Sequence, residues 1–164
     1  MNRYAGIELG GTKAIAVLAQ DDTIVERRSM PTGEPVATLS ALRGIVDGWA
    51  KGAPLAGLGI ASFGPIQLDP RDPKFGRILA TPKPGWTGAP VAALPGEGLA
   101  CSMAIDTDVN GAALAEYRWG AAVGCDSLCY LTSGTGLGGG LLIGGEPVHG
   151  AMHPEIGHIR LRRA

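Results

Sequence analysis

Residues 6–17 read GIELGGTKAIAV. A plain buried strand would carry neither Glu8 nor the adjacent pair Gly10 and Gly11. The run divides into two strands, residues 4–9 and 14–19, joined by a turn from Gly10 to Lys13. Adjacent glycines let backbone N–H groups approach an anion closely, and Thr12 and Lys13 add a hydroxyl and a positive charge. That set suits a phosphate. It is not a Walker A loop, because the spacing G-x-x-x-x-G-K-[ST] is absent. A simple hairpin with a surface lysine fits the same residues.

Outward from this turn, residues 23–29 give a third strand after an Asp-Asp turn, so the chain opens on a meander. Val36, Leu39, Leu42, Ile45, Val46 and Trp49 then recur at helical spacing, with Pro35 near the start and Gly52 at the end. Residues 55–61 read as a short apolar strand. Residues 62–100 hold seven of the twelve prolines and exclude a long helix. Short strands near Ile66–Leu68 and Arg77–Ala80 and a short helix near 89–95 are expected there. Residues 102–107 form a strand and a helix starts at Asp108. Residues 127–131 and 137–143 are strands around a glycine turn. The order is mixed α/β. The strand, Gly/Thr turn, strand pattern of 4–19 recurs at 127–143, which suggests two related halves with the second cut short.

The 164 residues hold one domain of ordinary size or slightly more, and 45% of them are hydrophobic, enough for a core. A net charge of −1 supplies no field for nucleic acid or an anionic membrane. Three cysteines without regular spacing make no disulfide framework. No apolar run approaches the ~18 residues of a membrane span. Glu8 and Lys13 interrupt what would otherwise resemble a signal peptide. A soluble, cytoplasmic protein with no nucleic-acid or membrane partner is expected.

Three further segments carry chemistry. In LTSGTGLGGG (131–140), Gly134, Gly136 and Gly139 match G-x-G-x-x-G after a strand. A dinucleotide fingerprint needs a helix next, whereas LGGGLLIGG reads as a strand. A Thr/Gly turn between strands can instead grip a phosphate, or be a glycine-rich hairpin. In IDTDVNGAALAE, Asp106 ends a strand and Asp108 falls at an expected helix N-cap, a position Asp favours. Asp106, Asp108 and Asn110 crowd a strand-to-helix junction, where ligands bind in open α/β folds. A carboxylate there can take a proton from a hydroxyl nucleophile. In HGAMHPEIGHIRL, all three histidines fall together around Glu155. His153 and His158, five apart, do not face one ligand from a helix, and a polar surface loop fits as well. Cys125 and Cys129 read as buried, inert thiols. Trp86, in TPKPGW, is either a sugar-facing platform or a lid over the core.

Taken in order, these segments resemble the ROK family (repressor, open reading frame, kinase) of sugar kinases. IELGGTK is similar to the family's phosphate turn, IASFGPI to its first sugar loop and TPKPGW to the loop after it. DTDVNGAALAE is similar to the catalytic segment, LTSGTGLGGG to the second phosphate turn and HGAMHPEIGHI to the signature segment. The match runs the whole length of the chain. It implies an α/β protein of the actin/RNase H-like ATPase fold (ribonuclease H-like motif). Residues 1–118 would be an N-terminal α/β domain, and 119–164 the start of a second, ATPase-like domain that is incomplete.

The resemblance also implies roles. Gly10, Gly11, Thr12, Lys13, Thr132, Gly134, Thr135 and Gly136 would hold the phosphates of ATP, with Glu8 near Mg²⁺. Asp108 would be the general base. Ser62, Gly64, Thr107, Glu155 and His158 would face the sugar. His158 would also ligate a structural Zn²⁺ whose remaining ligands lie beyond residue 164. Glu8 in place of Asp, the TPKPGW loop and Thr107 point to the fructokinase branch more than to the glucokinase, mannokinase or N-acetylmannosamine kinase branches. The reaction implied is phosphoryl transfer from MgATP to the 6-hydroxyl of fructose, by a homodimer when complete. Residues 1–164 alone are expected to lack turnover, since the adenine-binding part is not among them. Three rivals remain open. One is a sugar-binding ROK-type regulator, for whose DNA-binding helices no space precedes the first turn. The others are a nicotinamide-dependent oxidoreductase using Gly134–Gly139 and a non-catalytic fragment.

Overall fold

The computed structural model describes residues 1–134, 136–150, 154–160 and 162. The chain forms two compact units, Met1–Asp106 and Thr107–Ala164.

The first unit is built on a five-stranded sheet. Strands β1 (Arg3–Leu9), β2 (Lys13–Gln20) and β3 (Thr23–Pro31) form the expected antiparallel meander. Helix α1 (Pro35–Gly52) follows, and β4 (Gly57–Ser62) returns parallel to β1. Strand β5 (Ser102–Thr107) completes the sheet in the order β3-β2-β1-β4-β5. A right-handed helical crossover between two parallel strands is the usual way to join them. Alternation along β1 sends Ala5, Ile7 and Leu9 into the core and leaves Tyr4 and Glu8 exposed.

Helix α1 buries Pro35, Thr38, Leu39, Leu42, Val46 and Trp49, a stripe spaced three or four residues apart. Full burial of a leucine such as Leu39 or Leu42 contributes about 1.5–3 kcal/mol. Val36, expected on this face, is 75% exposed because it follows Pro35 at the helix start and turns about 100° away from the stripe. The guanidinium of Arg3 donates to the carbonyls of Trp49 and Ala53, which satisfies the open end of α1.

Residues 63–101 differ from expectation. The strands expected near Ile66–Leu68 and Arg77–Ala80 reduce to single bridges, Ile66 with Ile78 and Arg77 with Pro90, and the helix near 89–95 to one turn, α2 (Ala93–Gly96). Proline interrupts ladders and helices at this density. Ile66, Ile78, Trp86 and Val91 nevertheless join the core under α1 and the sheet. Trp86 is buried, and its indole N–H donates to the Gly33 carbonyl at 3.1 Å.

In the second unit, helix α3 (Asp108–Trp119) packs on β6 (Ser127–Ser133) and β7 (Leu137–Ile143), with β8 (Glu146–Pro147) at the far edge. A 3₁₀ turn spans Ile156–His158. Cys125 and Cys129 are exposed, contrary to expectation. Cys125 precedes β6, and Cys129 lies on the face of β6 turned away from α3. Among the described residues no helix is long and apolar enough to cross a membrane.

Candidate functional site

In the first unit the parallel pairing sets Leu9 opposite Ser62, so the turn after β1 and the loop after β4 leave the sheet side by side. The Phe63 N–H extends the ladder to the Leu9 carbonyl at 2.7 Å. Ligands of open α/β sheets bind at such carboxyl ends.

The turn Gly10–Lys13 has all four of its carbonyls engaged by the protein. That of Gly10 accepts from the Thr32 hydroxyl at 2.8 Å. That of Gly11 accepts from the Lys83 ammonium at 2.6 Å. The Thr12 and Lys13 carbonyls accept from the N–H groups of Thr32 and Gly10, at 2.9 and 3.0 Å. Peptide planarity then turns the N–H groups trans to these carbonyls the other way. Gly10 N–H is spent on the Lys13 carbonyl, so the N–H groups of Gly11, Thr12 and Lys13 are the ones this turn can offer an anion.

The glycines separate by cause. A Cβ on Gly10 would stand 2.9 Å from the Lys13 carbonyl oxygen, so the turn itself requires glycine there. A Cβ on Gly11 would meet nothing within 4 Å. Gly44 and Gly48 on α1 share that openness, so it marks a site only where it coincides with a strand-ending turn. Glu8 is exposed one residue before the buried Leu9. Its oxygens suit Mg²⁺, which keeps several waters and leans on substrate phosphates rather than on a cage of side chains.

The neighbouring loop is tied to the turn. Lys83 lies 6.0 Å from the centroid of the Trp86 ring, and Phe63 meets that ring edge-on at 5.1 Å. Ser62 is fully buried, and its hydroxyl donates to the Phe63 carbonyl. Gly64, next in that loop, is half-buried and precedes Pro65.

In the second unit the start of α3 differs from expectation. Thr107, not Asp108, is the N-cap: its backbone is extended and its hydroxyl accepts from the Asn110 N–H at 3.2 Å. Asp108 is the first helical residue, half-buried, with one carboxylate oxygen accepting from the Val109 N–H at 2.9 Å. A carboxylate in the first turn is favoured by the helix dipole. Asn110 is fully buried, its amide 3.5 Å from the His149 ring.

The helix start lies close on β7. A Cβ on Gly140 would run into the Val109 carbonyl, and one on Gly138 would stand 3.1 Å from Val109 and 3.2 Å from Thr132. Gly139, facing the other way, receives Ile156 of the 3₁₀ turn. Three of the five glycines in the run therefore serve close packing on the two faces of β7. The other two, Gly134 and Gly136, are exposed in the hairpin, where a Cβ on either would meet nothing within 4 Å. Gly134 N–H closes that hairpin on the Gly136 carbonyl at 2.9 Å. Thr135 and His153 lie outside the described residues.

Glu155 adopts a left-handed backbone at φ 50°, ψ 49°, uncommon for a residue with a side chain. Its carboxylate stands 3.3 Å from Nδ1 of His158. Among the described residues no three or more metal-binding side chains come together, so His158 has no zinc partners there.

Two contributors escaped the sequence reading. Thr32 and Lys83 hold the first turn from 22 and 72 residues away; Thr32 sits in no motif, and Lys83, although inside TPKPGW, was assigned no role there.

The sheet order, the strand-ending glycine turns and the acid opening α3 define an α/β protein of the actin/RNase H-like ATPase fold. The chain belongs to the ROK family, whose model matches residues 4–164. It is 46% identical over 161 residues to a fructokinase of Zymomonas mobilis, covering 94% of this chain and 52% of that protein. It is 39% identical over 159 residues to a putative fructokinase of Bacillus subtilis, covering 96% and 52%. A solved ROK family glucokinase from Streptomyces griseus, in complex with glucose and AMPPNP, superposes with a TM-score of 0.80 at 29% identity. That match covers 98% of this chain and 51% of the glucokinase. The chain spans about half the length of the curated relatives it matches.

Proposed function

We propose that the protein carrying this chain is an ATP-dependent fructokinase, phosphorylating D-fructose at its 6-hydroxyl. The observation that supports the reading is the first turn, whose four carbonyls are all committed to protein donors, which turns the N–H groups of Gly11, Thr12 and Lys13 away from those donors. The likeness to fructokinases supports fructose over other hexoses.

Bound MgATP would supply the phosphoryl group and the charge neutralisation that its transfer needs. Gly11 and Thr12 would hold phosphate oxygens through backbone and hydroxyl donors, with Gly10 closing the turn on the Lys13 carbonyl, Lys13 adding charge and Glu8 near the ion. Thr132, Gly134, Thr135 and Gly136 would form the second phosphate turn. Asp108 would accept the proton of the attacking hydroxyl. Glu155 and His158 would orient the sugar by accepting and donating hydrogen bonds, alongside Gly64. Ser62 and Thr107, their hydroxyls already engaged within the fold, would serve by fixing the backbone around them, each within its own unit. Catalysis is then mainly positioning and electrostatics. A cytoplasmic homodimer accompanies this reading, and the net charge of −1 supplies no field for a nucleic-acid or membrane partner. No step is assigned to zinc.

An ADP-release assay of the whole protein with fructose, glucose and mannose tests it. Fructose is expected to give the highest kcat/KM. Sugar binding without ADP release would favour a regulator instead.

A further inference from the structure

We propose that Lys83 is a positioning residue for the phosphate turn, acting through the Gly11 carbonyl rather than on the sugar. This rests on the reading of Gly10–Lys13 as an ATP-phosphate site.

The Lys83 ammonium donates to the Gly11 carbonyl at 2.6 Å, across 72 residues of chain. A bond from a charged donor is roughly twice as strong as a neutral one. The carbonyl is thereby drawn toward Lys83, and the Thr12 N–H, trans to it in the same peptide plane, is aimed the opposite way. The ammonium also polarises that peptide, making its N–H a better donor. Without Lys83 the Gly11–Thr12 peptide could rotate, since Gly11 carries no side chain to resist it. A carbonyl oxygen would then face the site and repel an anion.

Lys83 is itself held in place. It lies 6.0 Å from the centroid of the Trp86 ring, and that ring is buried and anchored to the Gly33 carbonyl at 3.1 Å. The Lys83 N–H and carbonyl are both engaged, with the Thr81 hydroxyl and the Trp86 N–H at 3.3 Å each. The loop thus presents the ammonium to the turn from a rigid base. The ring also meets Phe63, so the turn and the loop after β4 share one support.

The test uses the whole protein and ADP as probe, with wild type, Lys83→Met and Lys83→Arg. Calorimetric titration gives the ADP Kd, and steady-state kinetics give KM for ATP and for fructose. Lys83→Met is expected to weaken ADP and raise the ATP KM by about tenfold, with fructose KM within about twofold. Lys83→Arg, which keeps the charged donor, is expected to recover most of the loss. A merely structural role would not divide the two KM values in this way. A fructose KM that rises while ADP affinity holds would overturn the proposal, as would no change in either. A wild type that binds no ADP would overturn the kinase reading and the role of Lys83 together.

Discussion

Thr107 and Asp108 sit side by side at the head of α3, and both are good capping residues. Which one caps depends on where the extended backbone of β5 ends, and that is set by pairing with β4 rather than by either side chain. The sequence therefore made the junction legible but not the division of labour within it. Thr107 is the cap, and Asp108 is the first helical residue, its carboxylate accepting from the Val109 N–H. Thr107→Ala is expected to cost about 1 kcal/mol of stability, and Thr107→Ser almost nothing. Urea unfolding of the two variants checks this. Equal loss in both would mean that the hydroxyl bond to Asn110 does not hold the helix start. Lys83 and Thr32 were illegible for a different reason. Their partners lie 72 and 22 residues away, and no local pattern announces so distant a bond.

At the scale of elements, the regular ones were legible from their periods. The meander, α1, β4, β5, α3 and the β6–β7 hairpin all stand within a few residues of where alternation and helical spacing put them. The excursion 63–101 was not, because its order comes from single bridges and from apolar side chains reaching the core, not from repeating local structure. The glycine run of β7 was read for one purpose and serves two. Gly138 and Gly140 admit the start of α3, Gly139 admits Ile156, and only Gly134 and Gly136 remain open. This separates the effects of substitution. Gly140→Ala is expected to destabilise by about 1–3 kcal/mol through overpacking against the Val109 backbone. Gly136→Ala, in open space, is expected to leave the thermal midpoint nearly unchanged while weakening nucleotide binding. Differential scanning calorimetry beside ADP titration distinguishes them. A Gly140→Ala protein as stable as wild type would contradict the close contact on which the placement of Asp108 depends.

Across the whole molecule, family and fold were legible because several short motifs recur in one order, although each alone also suits a plain hairpin or surface loop. The two compact units are each described by their own packing, with α3 joined to β6 and β7. The central claim is that Asp108 removes the proton from a fructose hydroxyl as a phosphoryl group arrives. Asn is nearly isosteric with Asp and leaves the Thr107 cap intact, so Asp108→Asn should preserve fold and nucleotide affinity. The most direct measurement is phosphorus NMR of the whole protein with MgATP and D-fructose, comparing wild type with Asp108→Asn. The account predicts fructose 6-phosphate and ADP from wild type, and the same product about 10²–10⁴-fold more slowly from the variant, at unchanged ADP affinity. Equal rates in the two proteins, or ADP and inorganic phosphate with no sugar phosphate, would contradict it.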